Sequence, residues 1–133
     1  MTAILLDTHV WVWSLFDSGK IALPTRTTVQ SAEAVFVSPI SFYEIGQKVR
    51  LGKWPAMEEH VDHLADYLNE QSGLLAALHP ELLLEAARMD WDHRDPFDRI
   101  LAATAIHFGM PIVSADGVFD ALSGQKRWPG RIW

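Results

Sequence analysis

The sequence predicts an α/β fold, a three-layer α/β/α sandwich around a mainly parallel central sheet. Two observations carry that prediction. Short apolar runs alternate with helical patterns along the whole chain, as parallel strands joined by crossover helices require. The first run, Ala3-Ile4-Leu5-Leu6, is continuously apolar rather than alternating, which fits a strand buried on both faces. It ends abruptly at Asp7, Thr8 and His9, just before a helical stretch. Open α/β sheets place ligand sites at such strand ends.

The elements follow in order. Val10, Trp11, Trp13, Leu15 and Phe16 mark the first helix, and residues 19–24 a connection. Residues 25–34 read as a polar helix, then Val35-Phe36-Val37 as the second strand, closed by Ser38-Pro39. Ser41 opens a helix to about Arg50, with Glu44 at capping-box spacing. Residues 57–71 carry the clearest helical period, because Val61, Leu64, Ala65 and Leu68 share one face. Gly73 is its expected stop. Residues 74–78 give a third strand, and Pro80 starts a helix to about Met89. Asp95-Pro96-Phe97-Asp98 opens the next helix, with Ile100, Leu101, Ala105 and Phe108 on its buried side and Gly109 at its end. Residues 111–114 form a fourth strand leading into Ala115-Asp116-Gly117, and a last strand includes Ile132 and Trp133.

No repeat, low-complexity tract or linker interrupts this pattern, so a single domain over residues 1–133 is expected. With 49% apolar residues, the chain can build a core without disulfides or a structural metal. It has no cysteine, which excludes thiol catalysis and zinc–thiolate sites. The short apolar run at the N-terminus lacks a basic flank and does not read as a signal peptide. No stretch approaches the roughly 20 apolar residues of a membrane helix. A cytoplasmic protein is expected. The formal net charge of −6 is the wrong sign for a wholly basic nucleic-acid footprint, although a local basic surface is compatible with that sum.

Four carboxylates recur in one local setting. Asp7 follows the first strand, Glu44 lies one turn into the helix after the second, Asp98 is in a first helical turn, and Asp116 follows the fourth strand. In a parallel sheet these positions project from the same end. Each also has a bland reading: Asp7 and Asp95 as helix caps, Glu44 as half of a capping box, Asp116-Gly117 as a turn. Capping does not by itself put four acids on one rim. Close carboxylates raise one another's pKa unless a cation neutralises them. Oxygen donors alone favour a hard divalent ion such as Mg²⁺ or Mn²⁺.

Four blocks carry a family resemblance: Leu5-Leu6-Asp7-Thr8-His9-Val10-Trp11; Ser38-Pro39-Ile40-Ser41-Phe42-Tyr43-Glu44-Ile45 with Lys48 and Gly52-Lys53; Asp95-Pro96-Phe97-Asp98-Arg99-Ile100-Leu101-Ala102-Ala103; and Val113-Ser114-Ala115-Asp116-Gly117-Val118-Phe119. In order and spacing they resemble a PIN-domain ribonuclease of the VapC toxin type over nearly the whole chain. The pair Phe42-Tyr43 departs from that pattern, standing where members often carry a tryptophan. The resemblance implies Mg²⁺- or Mn²⁺-dependent cleavage of RNA by the quartet Asp7, Glu44, Asp98 and Asp116, which would be both catalytic and metal-binding. It gives Thr8 and Ser114 auxiliary roles in orienting a water or ligand. Asp95 is either a fifth acidic group or the helix cap, with the cap favoured. A small VapB-like antitoxin and a toxin homodimer are the implied partners.

Lys48, Arg50, Lys53, Arg94 and Arg99 are the candidate RNA contacts, with Lys48 equally placed to pair with Glu44 at i, i+4. His60 and His63 lack the spacing of a zinc-protease helix and read as surface residues. Trp11 and Trp13 lie two apart on one helix and cannot face the same way, so one of them is available to a partner. Three other functions compete. An aspartate-nucleophile phosphatase wants a second acid where His9 stands. A response-regulator-like module wants a lysine after the last parallel strand. A non-catalytic PIN-like binding module with an acidic pocket is the nearest rival, against which the intact acids count.

Overall fold

In the computed structural model, which describes residues 2–133, the first strand takes the centre of the sheet. β1 (Ala3–Leu6) pairs in parallel with β2 (Ala34–Val37) on one side and β4 (Ile112–Val113) on the other. β3 (Leu74–Leu75) extends the sheet beyond β2, and β5 (Arg131–Ile132) extends it beyond β4. The order is β3-β2-β1-β4-β5, and every pairing is parallel. Strand order therefore reverses at β1, which opens a crevice at its carboxyl end.

Side chains of a strand alternate between faces, and β1 uses both. Ile4 and Leu6 pack with Val10, Trp11, Val37, Ile45, Leu64 and Leu68. Those come from α1 (Thr8–Phe16), β2, α3 (Pro39–Arg50) and α4 (Leu64–Glu70). Leu5 points the other way, into Leu101, Ala102, Ala105, Ile112, Phe119 and Leu122, where α6 (Pro96–Phe108) lies. α5 (Pro80–Arg88) packs on α6 through Leu82, Ala86 and Ala103. With helices on both faces the architecture is the expected sandwich. The polar helix settles at Leu23–Ser31 (named α2 here), starting two residues earlier than predicted and with Pro24 in its first turn.

Four local expectations are corrected. Ser38, not Ser41, caps α3: its side chain accepts the Ile40 N–H at 3.1 Å, and Pro39 takes the first helical position that suits its fixed φ. Ser41 is buried inside the helix, its hydroxyl 2.7 Å from that of Thr8, so the capping box does not form. The long helix over residues 57–71 is cut to α4, preceded by 3-10 turns at Pro55–Met57 and Val61–His63. These turns place the His60 ring on Phe16, with centroids 4.1 Å apart, and within 3.0 Å of the Tyr67 hydroxyl. Tertiary packing thus overrides the period, and His60 is half-buried rather than a surface residue. Beyond α4 the left-handed backbone falls on Ser72 (φ 58°), not on Gly73.

Other ends fall as read. Asp95 caps α6 by accepting the N–H groups of Phe97 (2.8 Å) and Asp98 (3.5 Å). Gly109 closes that helix at φ 66°, a conformation that favours glycine. β3 is shorter than predicted, and Leu74 and Leu75 are exposed on this sheet edge. No helix among the described residues is long and apolar enough to cross a membrane.

Candidate active site

The crevice at the end of β1 is a cleft of about 320 Å³ lined by Asp7, His9, Val10, Trp13, Glu44, Lys48, Asp95, Asp98, Ala115 and Asp116. All four acids read from separate stretches of sequence lie along it, with Asp95 beside them. β1 delivers Asp7, α3 delivers Glu44, the start of α6 delivers Asp98, and the segment after β4 delivers Asp116.

Asp7 is buried and held at both oxygens. Its Oδ1 accepts the His9 N–H at 3.0 Å, which caps α1, and its Oδ2 accepts the Ser114 hydroxyl at 2.6 Å. Ser114 in turn accepts the Asp116 N–H at 3.0 Å, so one buried hydroxyl ties two of the acids together. Burial pushes the Asp7 carboxyl above its ordinary value, and Glu44 adds to the rise, against the lowering by Ser114 and His9. Burial likewise pushes Asp98 up to about 6; the His93 hydrogen bond opposes this, while Asp95 and Asp7 reinforce it. Burial is the larger cause at both carboxyls, and the neighbouring acids add to it.

Glu44 is buried and meets Lys48 at 2.7 Å, so the i, i+4 pairing expected for Lys48 forms inside the cleft. Asp116 caps the 3-10 segment Gly117–Leu122 through the Val118 N–H at 2.9 Å. Arg131 braces this rim: it grips Asp120 with two N–H groups at 2.9 and 2.8 Å and donates to the Ser114 carbonyl at 3.0 Å. That grip lowers the exposed Asp120 carboxyl and raises the Arg131 guanidinium.

Two expected roles are withdrawn. The Thr8 hydroxyl is engaged with Ser41 and does not line the cleft, so it tethers α1 to α3 instead of serving as an auxiliary group. Arg99 does not face RNA. Its guanidinium donates to the carbonyls of Ala86 (2.8 Å), Met89 (2.6 Å), Trp91 (2.7 Å) and His93 (2.9 Å). Four of its five donors are taken up in holding the loop before α6. Arg50, Lys53 and Arg94 are exposed and stand outside the cleft lining.

One site residue escaped the sequence reading. His93 places Nε2 at 2.7 Å from Asp98 Oδ2. Among the described residues, the trio whose ligand atoms come within 4.8 Å of one another is His93, Asp95 and Asp98. The signal available was its position two residues before the Asp95 cap. Weighing histidines by helical spacing passes over one that stands in a loop.

The cleft offers carboxylate oxygens from four elements, the donor type that a hard divalent cation takes, and among the described residues the ligand atoms that close to within 4.8 Å of one another are those of His93, Asp95 and Asp98. The PIN domain family model matches residues 4–125. Ribonuclease VapC22 of Mycobacterium tuberculosis (strain ATCC 25618 / H37Rv) is 25% identical over 122 residues, which span 87% of this chain and 88% of that protein. The chain therefore belongs to the PIN-domain family, with a VapC-type ribonuclease among its relatives.

Proposed function

We propose that this chain is a metal-dependent endoribonuclease, the toxin of a type II toxin–antitoxin pair, acting as a single PIN-like domain over residues 1–133. Asp7, Glu44, Asp98 and Asp116 would hold Mg²⁺ or Mn²⁺ and form its catalytic quartet. The observation that carries this reading is the lining of one cleft, at the strand-order reversal, by acids from four separate elements. Family membership and the VapC-type relative support it.

When bound, such an ion supplies Lewis acidity, acidifying water and neutralising phosphodiester charge. The chain's own residues do the rest. Ser114 and the His9 N–H fix the Asp7 carboxylate in one orientation, and His93 does the same for Asp98. Lys48 lines the cleft beside Glu44, where its ammonium can meet the phosphate charge that the acids repel. Arg50, Lys53 and Arg94 would add weaker contacts to the RNA backbone farther out. A small VapB-like antitoxin would cover the cleft, and the toxin would act as a homodimer in the cytoplasm.

Asp7→Asn is the direct test. Asparagine can still cap α1 but lacks the ligand charge, so RNA cleavage should vanish while circular dichroism matches that of the parent and the melting temperature does not fall. Full activity in Asp7→Asn would leave Asp7 as a cap and remove it from the quartet.

A further inference from the structure

Beside the acids stands a feature that the chemistry above leaves unused. His9 and Trp13 line the same cleft as the quartet, and His9 Nδ1 lies 4.0 Å from Asp7 Oδ1. The His9 ring stacks on Trp54, with centroids 4.8 Å apart and planes inclined by 21°. Trp13 meets His9 at 6.1 Å and Trp133 at 6.0 Å, so the aromatic surface runs outward from the acids to the last residue. The His9 side chain is 47% exposed and Trp133 43%. Trp11, two residues before Trp13, is fully buried and donates its indole N–H to Gln71. Helix α1 therefore gives one tryptophan to the core and the other to the cleft.

We propose that the exposed His9 ring, backed by Trp54 and flanked by Trp13, forms a stacking platform for an unpaired RNA base next to the scissile phosphate. This rests on the ribonuclease reading and adds the form of substrate it takes. Lysine ammoniums accompany both indoles: Lys48 Nζ lies 5.5 Å from the Trp54 centroid and Lys20 Nζ 5.8 Å from that of Trp13. An exposed ring backed by a second one, with cations close by, matches a base joined to its neighbours by phosphates. It does so in a molecule whose net charge of −6 would otherwise repel RNA. Stacking on such a ring needs a free base face, which a duplex hides and a single strand or loop offers. It also tolerates any base, so the subsite selects unpaired structure more than sequence.

The test measures binding of a short, labelled, unstructured oligoribonucleotide by fluorescence anisotropy, with Ca²⁺ present to keep turnover low. Cleavage is measured separately with Mn²⁺. Replacing His9 or Trp54 by alanine should each weaken binding of the single strand roughly tenfold, the usual scale for one stacked base. Trp54→Phe should restore most of the affinity, and Mn²⁺ binding to the free proteins, followed by calorimetry, should stay within about twofold. An abasic ribose beside the cleavage point should weaken the parent as much as His9→Ala does, with no further loss when the two are combined.

Unchanged single-strand affinity in His9→Ala, whose side chain is exposed and whose fold is checked by its melting temperature, overturns the subsite. So do equal losses on duplex RNA, or losses confined to binding of a protein partner. A parent chain that binds in this pattern but never cleaves removes the ribonuclease reading and keeps the subsite. Cleavage indifferent to His9 and Trp54 removes the subsite alone.

Discussion

Asp7 caps α1 through the His9 N–H and accepts the Ser114 hydroxyl on its other oxygen. A capping bond and a place in the cleft lining therefore coexist at one residue, which is why the sequence could not separate the two readings. The same is true of Asp116, whose carboxylate caps a 3-10 segment at the edge of the cleft. Ser41 shows the reverse failure. Its spacing to Glu44 is that of a capping box, but Pro39 fixes the helix start earlier and leaves Ser41 bonded to Thr8. Ser41→Ala should leave the Thr8 hydroxyl buried without a partner and cost about 1–3 kcal/mol in denaturant unfolding, with cleavage nearly unchanged.

Asp98 gives a prediction with a definite sign. Its carboxyl rises from 3.8 to about 6, so the folded protein holds that proton more tightly than the unfolded chain. Stability should then fall as pH rises through the window between those values and stay lower above it. Asp98→Asn removes the penalty. Metal-free Asp98→Asn should melt a few degrees above the parent at neutral pH, a gain of roughly 1 kcal/mol after solvent screening at a partly wet rim. The gain should disappear below the ordinary carboxylate pKa, and cleavage should be lost at every pH. A parent that melts higher than Asp98→Asn at neutral pH without metal would contradict the burial penalty on this carboxylate.

At the level of elements, the strands and the helices with firm end signals were legible because local and global demands agree there. β1 is apolar throughout because both its faces are covered, and α6 has proline and an aspartate cap at one end and glycine at the other. The stretch from Met57 to His63 was not legible, since a helical period carries no trace of a ring stacking on Phe16 from another element. The loop before α6 was equally hidden. An arginine that binds four carbonyls looks, in sequence, the same as one free to bind phosphate. Arg99→Ala should therefore destabilise the fold by about 2 kcal/mol or more, from several orphaned carbonyls, and should blur His93 and Asp98 together. Arg99→Lys should rescue little, because one ammonium cannot reproduce the fork. A melting temperature unchanged in Arg99→Ala, with weaker RNA binding, would return Arg99 to the RNA surface.

Across the whole molecule, the parallel order β3-β2-β1-β4-β5 collects acids from distant stretches at one rim. The sequence reading expected that gathering from two strand ends, at Asp7 and Asp116, and two helix starts, at Glu44 and Asp98. It could not show how the acids are held, with Lys48 on Glu44, Ser114 on Asp7 and His93 on Asp98. Nor could it show that tryptophans from distant stretches meet at His9 beside the cleft. Each holding contact is one that a divalent ion would have to accommodate, so metal affinity and catalysis should rise and fall together. The most direct measurement takes the purified chain, free of antitoxin, with an unstructured RNA and a titration of Mn²⁺ or Mg²⁺. Cleavage should appear with the metal, stop on EDTA and return when excess metal is restored. Undiminished cleavage in EDTA would contradict the metal-dependent mechanism.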